Sequence, residues 1–252
     1  MVTIFAASWP QPRSSFDALA RRVRARAAGA LATLAVALLA LPAQADLAAI
    51  GSKEAGAGLK EALVRGAEYA VAQLGKPDGF LGNSKVKIPL PEPLQKVESL
   101  GRMLGLSKQA DELVVTMNHA AEAAVVEAKP LLVNAVKNMS VKDVYDILGG
   151  PPDAATRYFQ KTTSDQLTEK FLPIVHQATT RVSLSEKYNA FAGKAAKLKL
   201  LDEKDADLDG YVTRKALDGL FLMIAEQEKQ IREDPVGSGS KLLQKVFGAI
   251  GG

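Results

Sequence analysis

The chain has no cysteine and only two histidines in 252 residues. Without cysteine there is no disulfide and no thiol for lipid attachment. A zinc centre would need carboxylates brought in by the fold to complete its ligand set. No Walker-type phosphate loop, no G-x-S-x-G elbow and no S-x-x-K motif with its partners occurs, so the common phosphate-binding and serine-nucleophile classes lack their signatures. Runs of β-branched residues are few, and no second stretch is available to make an extended hairpin sheet. One-sided charge is missing as well. Of 32 basic and 28 acidic residues, five arginines and Asp17 fall within residues 1–45, and setting these aside leaves acids and bases equal in number. The basic isoelectric point of about 9.1 therefore belongs to the N-terminal segment, and nothing in the body marks a nucleic-acid surface.

That segment has its own pattern. Arg13, Arg21, Arg22, Arg24 and Arg26 form a basic region, Ala27 to Leu41 is apolar but short for a permanent membrane anchor, and Pro42-Ala43-Gln44-Ala45 supplies an A-x-A cleavage site. This is the layout of an export signal. The Arg21-Arg22 pair lacks the Phe-Leu of the twin-arginine route, which leaves general secretion. The expectation is a periplasmic protein cleaved after Ala45, whose single helical domain spans 46–252.

From there on, helical periodicity dominates. Leu59, Leu63, Ala67, Ala70, Val71 and Leu74 make one face of a first helix stopped by Gly75. The irregular stretch 75–93 holds four prolines, and within it Val86, Ile88 and Leu90 alternate with Lys87 and Pro89 as a short extended piece would, one edge of a small β-hairpin. Leu94, Val97, Leu100 and Leu104 suit a second helix. Ser107 caps a third with Leu113, Met117, Ala120, Ala124 and Ala128, and Pro130 breaks or restarts it. Ser140 with Asp143 caps a helix bearing Val144, Ile147 and Leu148. The run Gly149-Gly150-Pro151-Pro152-Asp153 is either a subdomain hinge or a bundle corner. A short helix at Tyr158-Phe159 precedes one with a capping box at Thr163 and Gln166 and a face of Leu167, Phe171, Val175, Ala178 and Val182. Tyr188, Phe191, Ala195 and Leu198 continue to an acidic turn. A long helix then carries Leu217, Leu220, Phe221, Ile224, Gln227, Glu228 and Ile231, and residues 240–247 form a last short one. The fold class is all-α, a multi-helix bundle with one long irregular loop.

The acidic turn carries the most specific chemistry. Asp205, Asp207 and Asp209 alternate ahead of Gly210, as in the first part of a calcium loop, with the Tyr211 carbonyl and Thr213 as further ligands. The twelfth position, where such a loop places a bidentate Glu, is Ala216. Any Ca2+ affinity would fall at the weak end. The competing reading is a helix-entry turn, with Thr213 as N-cap of a helix beginning at Arg214.

Elsewhere, His119 and Glu122 lie three apart on one helix side, a usable metal pair, but the second Glu-x-x-His and further Glu residues of a di-iron bundle are absent. His176 sits at the edge of an apolar stretch. Glu61–Arg65 and Glu228–Arg232 are i,i+4 pairs placed on solvated faces.

The chain resembles the exported bacterial domain of unknown function 4197 family. The resemblance rests on Gly66-Ala67-Glu68, Leu74-Gly75-Lys76-Pro77-Asp78-Gly79-Phe80, Ile88-Pro89-Leu90-Pro91, Met117-Asn118 with Ala120-Ala121-Glu122, Tyr211-Val212-Thr213 and Ala216-Leu217-Asp218-Gly219-Leu220-Phe221. It implies export and a helical fold, brings no known activity, and does not extend to calcium. Asn83, Lys85, Lys87, Asn118 and Glu122 are polar residues within or beside these motifs that do not fit a core face. Loops as long as 75–93 are often functional, which suggests that this one docks over the helix carrying Asn118 and Glu122 and forms a groove for a peptide, lipid or protein partner. A purely structural loop packed by Phe80 and Leu81 is the alternative. The expected function is thus an exported binding or structural protein of the cell envelope. The competing class is an enzyme whose dispersed site gathers polar residues near His119 and Glu122, which a pocket holding His119, Glu122 and Asn118 with a third convergent acid would favour.

Overall fold

In the computed structural model, the structure describes residues 52–92, 94–95, 107–181, 186, 188–189 and 207–234. These belong to one compact unit, Ile50–Gly252. Helix α1 is Ser52–Leu74, α2 Ser107–Val125, α3 Ala128–Lys137, α4 Val141–Leu148, α5 Ala154–Thr179 and α6 Leu208–Glu233. The protein is all-α, with no strand among the described residues. The expected export signal, most of the second helix, the Phe191–Leu198 segment, Asp205 and the 240–247 helix lie outside the described residues.

Helix α6 is the centre of the packing. It lies against α5, α1 and α2, while α5 also packs on α2 and α3, and α1 on α3. Leu208, Val212, Ala216, Leu220 and Ile224 are buried along it, at the three-to-four-residue spacing that turns one helical face inward. On α5 the buried residues recur every fourth position, from Ala155 through Phe159, Thr163, Leu167, Phe171 and Val175 to Thr179.

Two sequence expectations are corrected here. The short helix and the Thr163–Gln166 capping box are one continuous helix, α5, in which the Thr163 hydroxyl donates to the Phe159 carbonyl at 2.6 Å. A threonine inside a helix bonds back to the carbonyl one turn before it as readily as it caps forward. The hairpin edge is not a strand either. Val86, Ile88 and Leu90 are buried and Lys87 and Pro89 exposed, so the period-two pattern is real. Pro89 and Pro91, however, have no N–H to offer a ladder.

Local signals account for the element ends. Gly75 closes α1, its N–H on the Val71 carbonyl at 2.8 Å. The chain breaks at Val126-Glu127 before Pro130, which then sits in the first turn of α3, where its missing N–H costs nothing. Ser140 and Asp143 form a full capping box on α4. Residues 149–153 form the corner between α4 and α5, which pack on each other.

Candidate functional site

The loop that follows α1 is fastened to α2 by two side chains one helical turn apart. Glu122 is 6% exposed. Its Oε1 accepts the N–H groups of Phe80 and Leu81 at 3.0 and 3.1 Å, and its Oε2 accepts that of Asp78 at 3.2 Å. Burying a carboxylate is costly unless its oxygens are hydrogen-bonded. Here the turn at 78–81, with Asp78 in the left-handed region at φ 59°, directs three backbone donors at one acid. Asn118, fully buried, accepts the Ile88 N–H at 2.8 Å and returns a hydrogen bond to the Ile88 carbonyl at 2.9 Å. It occupies the place of a cross-strand residue, which is why the extended piece needs no strand partner. Phe80 drops into the interior beside Gly219 of α6, where an added Cβ would come within 2.7 Å of its ring.

The other loop residues named from the sequence lie apart from this clamp. The Asn83 carboxamide accepts the Lys85 N–H at 3.1 Å, a local turn. Lys85 pairs with Glu226 of α6 at 2.6 Å, and Lys87 is exposed. The loop thus covers the α2 face that carries Asn118 and Glu122, and the polar atoms of that face are bonded to the loop's own backbone. A groove of about 670 Å³ lies beside the loop, between Pro89, Leu90, Glu92 and Gln95, Gln160 and Ser164 of α5, and the Tyr211, Arg214, Leu217 and Phe221 face of α6. Leu90, Leu217 and Phe221 line it, with Arg214, Lys215, Glu92 and Asp218 around it. The Tyr211 hydroxyl donates to the Pro89 carbonyl at 3.0 Å, tying the loop wall to α6.

The acidic turn is the entry to α6, which begins at Leu208, six residues before the expected Arg214. Asp207 is the N-cap, its carboxylate accepting the N–H groups of Asp209 and Gly210 at 3.1 Å each. Tyr211 and Thr213 lie inside the helix. Thr213 therefore caps nothing: it is 1% exposed and its hydroxyl has no hydrogen-bond partner among the described residues. Asp209 faces α5, where it meets His176 Nδ1 at 2.6 Å and accepts from the Thr179 hydroxyl. Asp205, the first of the alternating acids, is not among the described residues.

Sequence reasoning missed one buried acid. Glu228 is 6% exposed, not on a solvated face. Its carboxylate accepts the N–H groups of Ala155 and Thr156 at 3.0 and 2.9 Å and the Thr156 hydroxyl at 2.9 Å. It caps the start of α5, whose own N-cap residue Asp153 makes no side-chain cap. Arg232 closes the arrangement, with Nη2 on Glu228 at 2.8 Å and on the Ile147 carbonyl at 3.0 Å. The available signal was position: Glu228 lies four residues after Ile224, on the apolar stripe.

His119 stands beside Glu122 at the rim of the clamp, its Nε2 3.4 Å from Asp78 Oδ1 and 4.0 Å from Glu122 Oε2. Asp78 is thus a third acid beside the His119–Glu122 pair, while Asn118 and Glu122 are themselves buried beneath the loop.

The model of the family described as protein of unknown function (DUF4197) matches residues 49–248. The chain belongs to that family. Comparison with curated proteins and with solved structures found no match. In this DUF4197 member four of the segments that carried the resemblance come together in space: the Asp78–Phe80 turn, the Ile88–Pro91 strip, the Asn118–Glu122 turn of α2 and the Gly219 turn of α6 meet at the clamp. Gly66 lies elsewhere, against Gln227 and Ile231 of α6. No helix among the described residues of this DUF4197 chain is long and apolar enough to cross a membrane.

Proposed function

We propose that the protein is an exported binding protein of the cell envelope that holds an extended peptide segment of a partner protein in the groove between the clamped loop, α5 and α6. The groove itself carries the reading, with its apolar floor of Leu90, Leu217 and Phe221 and its rim of Gln95, Gln160 and Ser164. Neutral hydrogen-bonding side chains over an apolar floor suit a peptide, which offers both backbone amides and anchoring side chains. An acyl chain asks for an enclosed apolar cavity instead. The rim charges are balanced, Arg214 and Lys215 against Glu92 and Asp218, with Lys215 3.7 Å from Asp218, which again suits a peptide of mixed character over a uniformly anionic ligand. Export is supported by the basic, apolar and A-x-A order of residues 1–45.

The test is selection from a random peptide display library on the purified protein, followed by calorimetry with the enriched peptide. Ser164→Trp fills the groove from a partly exposed position of α5. The expected result is one enriched sequence pattern, whose binding falls at least tenfold, about 1.4 kcal/mol, in Ser164→Trp at unchanged melting temperature. No enrichment, or binding indifferent to the substitution, would overturn the reading.

A further inference from the structure

We propose that Asp78, His119 and Glu122 form a binding site for a divalent metal ion of the zinc type, set at the rim of the loop clamp and separate from the groove. The three residues come from two elements, the turn after α1 and one face of α2, and each contributes one ligand atom within 4.8 Å of the other two. A four-coordinate ion with bonds of about 2.0–2.1 Å to nitrogen and carboxylate oxygen holds neighbouring ligand atoms about 3.3–3.4 Å apart. Asp78 Oδ1 already lies 3.4 Å from His119 Nε2, and His119 Nε2 lies 4.0 Å from Glu122 Oε2. All three ligand atoms lie within 4.8 Å of one another, and the side chains that would close on the fixed Glu122, those of Asp78 and His119, are 64% and 51% exposed.

Two further observations point to a cation. An ionised carboxylate has about four acceptor positions, and the loop backbone fills three of Glu122's: two on Oε1 and one on Oε2. The position left over is on Oε2, the oxygen on the His119 side. Those same three N–H groups fix the carboxylate in place, as outer hydrogen bonds fix a metal ligand. The second observation is charge. Two carboxylates converge with only an imidazole between them, and no ion pair among the described residues joins a Lys or Arg to either one. A divalent cation would offset this like-charge contact, and its remaining coordination positions would face solvent. With one nitrogen and two oxygen ligands the set suits zinc and its first-row neighbours.

The ion would also join the loop to α2, so binding should stabilise the fold by mass action. The experiment titrates Zn2+ into the chelator-stripped, dialysed protein by calorimetry and records melting with and without the ion. His119→Ala removes an exposed ligand that supports no core packing. Asp78→Asn keeps a residue that tolerates the left-handed backbone, and His176→Ala controls for the other histidine. The expected result is one ion per chain with micromolar affinity and a melting temperature raised by a few degrees. Both effects should fall at least tenfold or vanish in His119→Ala and Asp78→Asn, with metal-free melting unchanged, and both should persist in His176→Ala. No saturable binding, or binding that survives His119→Ala or is lost in His176→Ala, would overturn the proposal.

Discussion

An acid with 6% of its surface exposed is tolerated only when its oxygens are occupied, and in Glu122 they are occupied by backbone donors that have no other partner in the turn. Truncation would leave the buried Phe80 N–H unpaired, at about 1–3 kcal/mol, and free the part-buried N–H groups of Asp78 and Leu81 as well. Glu122→Ala should therefore destabilise the protein by at least about 2 kcal/mol, measured by urea unfolding, although it removes a charge. Asn118→Leu, close in size, should cost about as much, because it strips a bond from both sides of Ile88. Thr213→Val should run the other way. It deletes a buried hydroxyl that has no partner among the described residues, and melting should be unchanged or raised by the equivalent of up to about 1 kcal/mol. Tyr211 and Thr213, expected from the sequence to complete a calcium loop, lie inside α6 with Thr213 buried, so calcium should leave the melting curve unmoved. At this scale the sequence was half legible. Asn118 and Glu122 stood out because polar residues interrupt an apolar stripe, but their partners are backbone groups 30 to 44 positions away, and a main-chain N–H has no residue signature. Glu228 was hidden by Arg232, which at i+4 imitates a surface pair.

Among the elements, α4 is a helix of eight residues whose start is fixed by the Ser140–Asp143 box. Ser140→Ala should cost about 1 kcal/mol. The Ser140 hydroxyl and backbone N–H hold the Asp143 carboxyl below its ordinary value. A carboxyl with a folded-state pKa below its unfolded one adds stability above the unfolded value, about 3.9, and loses it as pH falls through the folded one. The melting gap between wild type and Ser140→Ala should accordingly be full at pH 7 and narrow below about pH 4. In α6, Gly219→Ala would gain helix propensity in isolation, yet here its Cβ meets the Phe80 ring at 2.7 Å and Val86 at 3.3 Å. It should lower the melting temperature, with the Phe80 turn displaced. Most helices were readable from apolar spacing, and α1 stops and α4 starts where Gly75 and Ser140 say they should. The misplaced boundaries have one physical origin. Thr163 and Thr213 are residue types that cap helices and also sit within them, and only tertiary burial decides which they do.

For the whole molecule, α6 organises the packing against α1, α2 and α5, and the 75–91 loop forms a wall nailed to α2 and bordering the groove. The docking of the loop on the helix of Asn118 and Glu122 was legible in the sequence; the place of the groove, beside α5 and α6, was not. This loop is a fixed wall and not a mobile lid. Amide hydrogen exchange on the native protein tests it most directly, at Phe80, Leu81 and Ile88. These N–H groups should exchange as slowly as those of α2 around Met117 and Ala121, and all of them should speed up together in Glu122→Ala. Exchange at Phe80, Leu81 and Ile88 on the timescale of an open loop, with α2 still protected, would contradict it.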